Sequence, residues 1–467
     1  MKIRDLVKED PGLQYVAESM ELMSTAGRRA MLDTDYLVDA AALEREWDRL
    51  DQAIAATQNG ATKRQYNDLR HCLMQLHDLQ GTLASLASHT TLNEVELFEI
   101  KNLAMLTGKA ADAIATLGLA DSLPLPDLGA VSHLLDPDHT GITNFYIYDS
   151  YDPRLAPLRR ELKQLQEHGG DPQRIADLLA EQNEVQNAVC MSLSSRLCQF
   201  SNELSQAMEQ MAYTDFLLSK ADLAIRWQMV RPRLGNQLAY RGLFNPRLRE
   251  HKESQGLRYQ PIDITLSEGV TIITGANMAG KTVLLKTAGT AQLMAQCGMR
   301  VPATDAEVTM VDAVASSIGD EQNEMNGLSS YASEIIKISD IVRRARHERL
   351  LVLIDEPART TNPIEGKALV QAIIKVMEPN PSLTLITTHY GQLGSSCRRL
   401  RVKGFVENMA DVPITPQNIN RFIDYSLAED TGDDVPHEAL RIATILGCDN
   451  EMIDLARKNI NRQPPQS

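Results

Sequence analysis

The eight residues Gly275-Ala276-Asn277-Met278-Ala279-Gly280-Lys281-Thr282 fit the pattern G-x-x-x-x-G-K-[ST] at every fixed position. Such a stretch serves phosphate binding. Its glycines let the backbone curl so that N–H groups point at phosphate oxygens, and the N-terminus of a following helix adds partial positive charge. The flanks suit this reading, with the apolar strand pattern "VTIIT" before and the amphipathic helix pattern "KTVLLKTAGTAQLMAQ" after. Gly275 to Thr282, with Val283 in the first helical turn, would then surround a nucleotide's phosphates. Lys281 would reach the terminal phosphates and Thr282 would ligate Mg²⁺.

A second group of reactive side chains ends the apolar run "RLLVLID". Asp355 at the end of a buried strand can hold Mg²⁺, directly or through water. The adjacent Glu356 can orient or deprotonate an attacking water. A third apolar run, "LTLITT", ends at His389. A lone histidine is more often a satisfied structural residue. This one falls at the strand end where the others deliver their chemistry, the carboxyl edge of an open α/β sheet, and there it can meet a γ-phosphate.

Two kinds of sequence must position these groups. Residues 1–118 place apolar side chains at three- and four-residue spacing and read as a helical domain. A Pro-, Gly- and Asp-marked connection over 119–153 follows. Residues 154–230 read as helical arms, broken at Gly169, Gly170 and Pro172 into a hairpin with a long return arm. From 231 to 467 short β-type runs and then apolar strands alternating with helices predict a mostly parallel, doubly wound sheet, ending in C-terminal helices.

Composition narrows the class. Apolar residues make up 43% of the 467 and aromatics only 4%, so the core must rest on aliphatic side chains. The net charge of −15 argues mildly against a dedicated nucleic-acid binder, which usually carries a basic field. Six scattered cysteines with no C-x-x-C pattern read as reduced thiols. With no apolar leader and no apolar run of about 18 residues, a cytoplasmic protein without a membrane span is expected.

The motifs, in this order, resemble the ATPase domain of the MutS family, within the ABC ATPase class. They are most similar to the branch associated with recombination suppression and ribosome rescue. The resemblance is carried by "TGANMAGKTVLLKTAG", "LMAQCGMRVPA", "SIGDEQNEMNGLSSYASE", "LIDEPARTTNPIEGKAL", "TTHYGQL" and "FVENM", strongly over 268–408 and weakly back to about 145. It implies an all-helical core and lever followed by a P-loop ATPase domain that uses ATP and Mg²⁺. It also implies a homodimer in which two ATPase domains pack head to tail and the signature serine of one contacts the γ-phosphate held by the other. Ser329 and Ser330 fall at that serine, with Ser329 preferred, and Tyr331 stands where the family often has Phe. Gln322 falls where Mg²⁺ and the attacking water are sensed, and Thr361 and Asn362 fall in a loop that crosses the interface. Ser330 with Glu334 also lies near the spacing of a helix capping box, and both roles can hold together. Arg359 is a candidate finger residue or an ordinary salt-bridge partner.

The sequence departs from the family in places. Ala276 and Ala279 replace a proline and a glycine of the phosphate loop, and Pro357-Ala358 replaces a small or apolar residue and a glycine after the acidic pair. No mismatch-reading domain, β-rich clamp or nuclease domain is recognised in these residues. DNA therefore remains a candidate partner inherited from the family, with "RRARHER" (343–349) and "CRRLRVK" (397–403) its only basic footprint. Solvated faces are the commoner explanation of such clusters. The alternative is an ATP-driven factor that remodels a protein client. Stand-alone relatives with this resemblance suggest a reactivase of a cobalamin-dependent aminomutase.

Overall fold

The computed structural model describes residues 1–141, 146–275, 280–319, 330–391, 393, 397–405, 422–430, 438–445 and 447–460. The first half is helical, as its spacing predicts. Helices run Ile3–Glu9, Pro11–Glu18, Thr25–Asp33, Ala40–Gln58, Lys63–Met74, Gln80–Ala87 and Glu94–Thr116. Their starts are fixed by side-chain caps at Asp10, Ser24, Asp39 and Asn93. Asn93 and Glu96 form a reciprocal capping box. The connection over 119–153 is not wholly irregular: Gly129–Leu135 forms a short helix that buries Val131, Leu134 and Leu135.

The hairpin forms as expected. Helix Leu155–His168 stops at Gly169, whose φ of 71° is left-handed, and Pro172 opens Pro172–Leu197 in its first turn. The return arm is interrupted by a 3₁₀ turn at Cys198–Phe200 before Ser201–Trp227 resumes it. That last helix is buried on nearly every side. It shares one apolar core with the N-terminal helices, and the same core reaches Leu293, Met294, Cys297 and Met299 at the far end of the phosphate-loop helix.

The buried charges Asp215 and Lys220 of this core are paired. Asp215 accepts from Met23 N, Ser24 N and Ser24 Oγ at 2.9, 2.8 and 2.7 Å. Gly27 must be glycine there, since a Cβ would fall 2.2 Å from the Asp215 carboxylate. Lys220 donates to Glu46 Oε1 at 2.5 Å and to the Gly298 carbonyl at 3.3 Å.

After Trp227 the chain builds two sheets among the described residues. The smaller comprises β1 (Arg233–Leu234), β2 (Leu238–Leu243), β3 (Ile262–Leu266) and, later in the chain, β5 (Asp305–Val308), in the order β1-β5-β2-β3. The larger comprises β4 (Gly269–Thr274), β6 (Ala313–Ser317), β7 (Leu350–Asp355), β8 (Leu383–Thr387), β9 (Arg398–Phe405) and β10 (Ile423–Glu429), in the order β10-β9-β4-β8-β7-β6. All its pairings are parallel except β9 with β10. Helices Lys281–Gln296, Ser330–Ala345 and Pro363–Met377 connect its strands, and separate apolar clusters cover its two faces. This is the mostly parallel, doubly wound sheet expected. Helices Glu438–Ile445 and Asn450–Ile460 follow. No helix among the described residues is long and apolar enough to cross a membrane.

Candidate active site

β8 lies between β4 and β7, so the strand carrying the phosphate loop and the strand carrying the acidic pair are not neighbours. In register, Ile273, Thr387 and Asp355 stand in one row across the three strands. Each chain then leaves the sheet at the same edge. Gly275 is two residues past the row, Glu356 one, and His389 two. Residues more than 100 positions apart in sequence therefore converge on one edge.

The phosphate-loop side is described at Gly275 and from Gly280 onward. Ala276, Asn277, Met278 and Ala279 lie outside the described residues. Gly280 has φ of 74° and caps helix Lys281–Gln296; a Cβ there would stand 3.1 Å from Tyr425 Cδ1. Lys281 is 3% exposed and donates from Nζ to the Gly275 carbonyl at 2.7 Å. Its Nζ lies 3.2 Å from Glu356 Oε1. Thr282 Oγ1 donates to Asp355 Oδ2 at 2.6 Å. Val283 is half-buried in the first turn.

Thr282 and Asp355 fit a magnesium ion. Adjacent oxygens of an octahedron with metal bonds of about 2.0–2.1 Å lie about 2.9 Å apart, close to the separation of these two. Such an ion commonly takes one or two protein oxygens and completes its shell with phosphates and water.

The turn after β7 is strained. Glu356 and Ala358 have φ of 45° and 59°, left-handed values for residues with side chains. Ala358, where the resemblance implies a glycine, adopts a backbone that glycine favours. The turn is held from two sides. Glu356 N donates to Thr387 Oγ1 at 3.0 Å, and Ala358 N donates to Glu334 Oε1 at 3.3 Å. Glu334 thus faces the acidic loop rather than acting only within its own helix. Arg359 lies 3.3 Å from Glu356 Oε2, the salt-bridge alternative for that residue.

His389 is partly exposed beside these charges. Burial pushes its pKa below the ordinary histidine value; Glu356 opposes this, and the cations Lys281 and Arg359 reinforce it. The imidazole is therefore neutral near pH 7.

The remaining expected residues divide. Gln322 and Ser329 lie outside the described residues. Ser330 opens helix Ser330–Ala345, and its side chain too lies outside them. Thr361 is half-buried, and Asn362 caps helix Pro363–Met377 by accepting from Ile364 N at 2.9 Å. The next residue but one, Ile364, is 81% exposed, and Ile336 on the preceding helix is 50% exposed.

Other residues at the site escape the sequence reading. Thr387 bridges the two acids, and its only sequence signal is a hydroxyl residue in an apolar strand. Tyr425 arrives from β10 against Gly280. Lys252 Nζ lies 5.5 Å from the Tyr425 ring centre and 5.8 Å from that of Tyr259. Nothing local in the sequence joins these three.

Residues 271–463 match the family model described as MutS domain V. Over part of its length the chain is similar to three proteins named Endonuclease MutS2. That of Geobacillus thermodenitrificans (strain NG80-2) is 37% identical over 216 residues, 46% of this chain and 27% of that protein. That of Agathobacter rectalis is 34% identical over 239 residues, 50% of this chain and 28% of that protein. That of Caldanaerobacter subterraneus subsp. tengcongensis is 31% identical over 277 residues, 58% of this chain and 32% of that protein. The chain thus spans less than a third of the length of these relatives.

Proposed function

We propose that this chain, whose residues 271–463 match MutS domain V, is a MutS-family ATPase that binds and hydrolyses ATP with Mg²⁺ as an ATP-gated homodimer. The observation that carries the reading is the convergence of Lys281, Thr282, Asp355, Glu356 and His389 on one sheet edge, with Thr282 bonded to Asp355 and Lys281 beside Glu356. Phosphoryl transfer needs positive charge and N–H donors around the developing charge, not covalent help. Lys281 and the N-terminus of helix Lys281–Gln296 supply them. Glu356 orients and deprotonates water, and neutral His389 contacts the γ-phosphate. Thr282 and Asp355 hold Mg²⁺, which neutralises phosphate charge when bound. Tyr425 and Tyr259, with Lys252 above both rings, form the base-side wall, since an aromatic face stacks on any nucleobase.

The partner subunit supplies the rest. Ser329 and Ser330, at the start of helix Ser330–Ala345, approach the γ-phosphate across the dimer, and Gln322 senses the metal and water. Thr361 and Asn362 cross the interface, and the exposed Ile364 and Ile336 support an apolar contact there. Replacing Ser329 and Ser330 together by Ala should leave nucleotide binding nearly intact while lowering hydrolysis and ATP-driven dimerisation. Loss of binding itself would make the loop local scaffolding and end the trans reading.

For the client, a protein is favoured over DNA by one observation. Five of the eight arginines and lysines in the two basic clusters are paired with acids of the fold: Arg343 with Asp340, Arg344 with Glu348, Arg349 with Glu268, Arg398 with Glu429 and Lys403 with Asp424. We infer a remodelling ATPase with the helical half as its handle. Co-purification with and without ATP tests this. Recovery of nucleic acid with no protein, and duplex binding that falls steeply with salt, would favour DNA instead.

A further inference from the structure

β8 is buried from end to end, and Thr387 at its last position is fully covered. Valine has the same shape and suits such a strand, whereas a buried hydroxyl costs free energy unless it is hydrogen-bonded. A threonine here is not by itself informative: Thr384 in the same strand is also buried, and its Oγ1 has no hydrogen-bond partner among the described residues. Thr387 differs in what it holds. Its Oγ1 donates to Asp355 Oδ1 at 2.5 Å and accepts from Glu356 N at 3.0 Å. Its own carbonyl accepts from the same Glu356 N at 3.1 Å.

The two acids need different things from their surroundings. Asp355 must turn one oxygen to the metal position, and with Oδ1 held by Thr387 it is Oδ2 that meets Thr282. Glu356 must keep its carboxylate beside Lys281 from a backbone at φ 45°, a conformation that residues with side chains rarely adopt. One hydroxyl serves both. We propose that Thr387 is a positioning residue for ATP hydrolysis, its hydroxyl fixing the rotamer of Asp355 and the backbone of Glu356 together. This rests on the roles given above to Asp355 and Glu356.

Thr387→Val removes the hydroxyl and keeps the shape; Thr387→Ser keeps the hydroxyl and removes the methyl. Glu356→Gln serves as the control for the acidic pair. With Thr387→Val, kcat should fall about 10–100-fold, as for other groups that orient metal ligands. The Mg²⁺ concentration that half-saturates binding of a fluorescent ATP analogue should rise severalfold, while metal-free affinity stays within about twofold. Thr387→Ser should stay within about threefold of the unaltered protein in both measurements. Unchanged turnover and Mg²⁺ dependence in Thr387→Val would overturn the proposal. So would a loss in Thr387→Ser as large as in Thr387→Val, which would assign the effect to methyl packing. Unchanged turnover in Glu356→Gln would instead sink the roles of the acids. Should Thr387→Val not give folded protein, Thr387→Ala is compared with Thr387→Ser and the same outcomes decide.

Discussion

The ammonium of Lys281 lies 3.2 Å from the carboxylate of Glu356, both side chains nearly buried, across an intervening strand. Lys281 and Glu356 are thus held as one unit. Replacing either leaves the other as a poorly solvated charge.

Glu356→Gln keeps the shape and removes the base. ATP hydrolysis should fall by about 10²–10⁴-fold, the usual worth of general base catalysis, while ATP binding persists. Phosphate release measured beside nucleotide binding checks this. Gel filtration with ATP should show more dimer than the unaltered protein does.

His389 gives a pH prediction with a definite sign. Its folded pKa is lowered, chiefly by burial, so it binds its proton only below the ordinary histidine range. The acid limb of kcat/KM, which reports the free enzyme, should therefore lie below about pH 6.5. His389→Asn should remove that limb. In stability the unfolded chain binds the proton first as pH falls. The contribution of His389 is therefore full above about pH 6.5 and declines as pH drops below it.

Ala358 is fully buried at φ 59°. A left-handed backbone costs a residue with a Cβ about 1–2 kcal/mol, and glycine returns about 0.4–1 kcal/mol of that through the freedom of its unfolded chain. Ala358→Gly should be neutral or stabilising by up to about 1 kcal/mol, and Ala358→Val destabilising by about 1–3 kcal/mol. Urea unfolding of the two variants distinguishes them. Equal stabilities would mean the turn relaxes and stores no strain.

Lys220 and Glu46 tie three elements: the helices Ala40–Gln58 and Ser201–Trp227 and the Gly298 turn after the phosphate-loop helix. Lys220→Met should cost up to about 3–5 kcal/mol by taking the buried cation from Glu46 and leaving it only the more exposed Arg49 at 3.6 Å. Adding Glu46→Gln should recover much of that loss. Thermal melting of both variants provides the test.

Some of this was legible before any coordinates. The phosphate loop and the acidic pair are local patterns, in which neighbours in sequence perform one task. Helix starts at Asp10, Ser24 and Asn93 depend on residues within three positions and can be read directly. The strands legible in the sequence are the continuous apolar runs β4, β7 and β8 and, as short β-type runs, the region of β1, β2 and β3. The strands missed were β5, β6, β9 and β10, whose residues are small, charged or alternating and leave a weak signal at that length. Lys281, Thr282, Asp355 and Glu356 are candidates on local pattern alone, and the structure brings the four side chains together.

Only the tertiary structure decided their partners. That β8 lies between the two motif strands follows from crossover connections over helices, which no local pattern encodes. This order makes Thr387 the link between Asp355 and Glu356, brings Tyr425 to Gly280, and turns Glu334 toward Ala358. The long helix Ser201–Trp227 has little amphipathic pattern because it is enclosed on nearly every side, so periodicity cannot point to what surrounds it. Spacing along a chain carries chemistry that neighbouring residues perform together. Chemistry shared across strands depends on register, and register is set by the packing of the whole sheet.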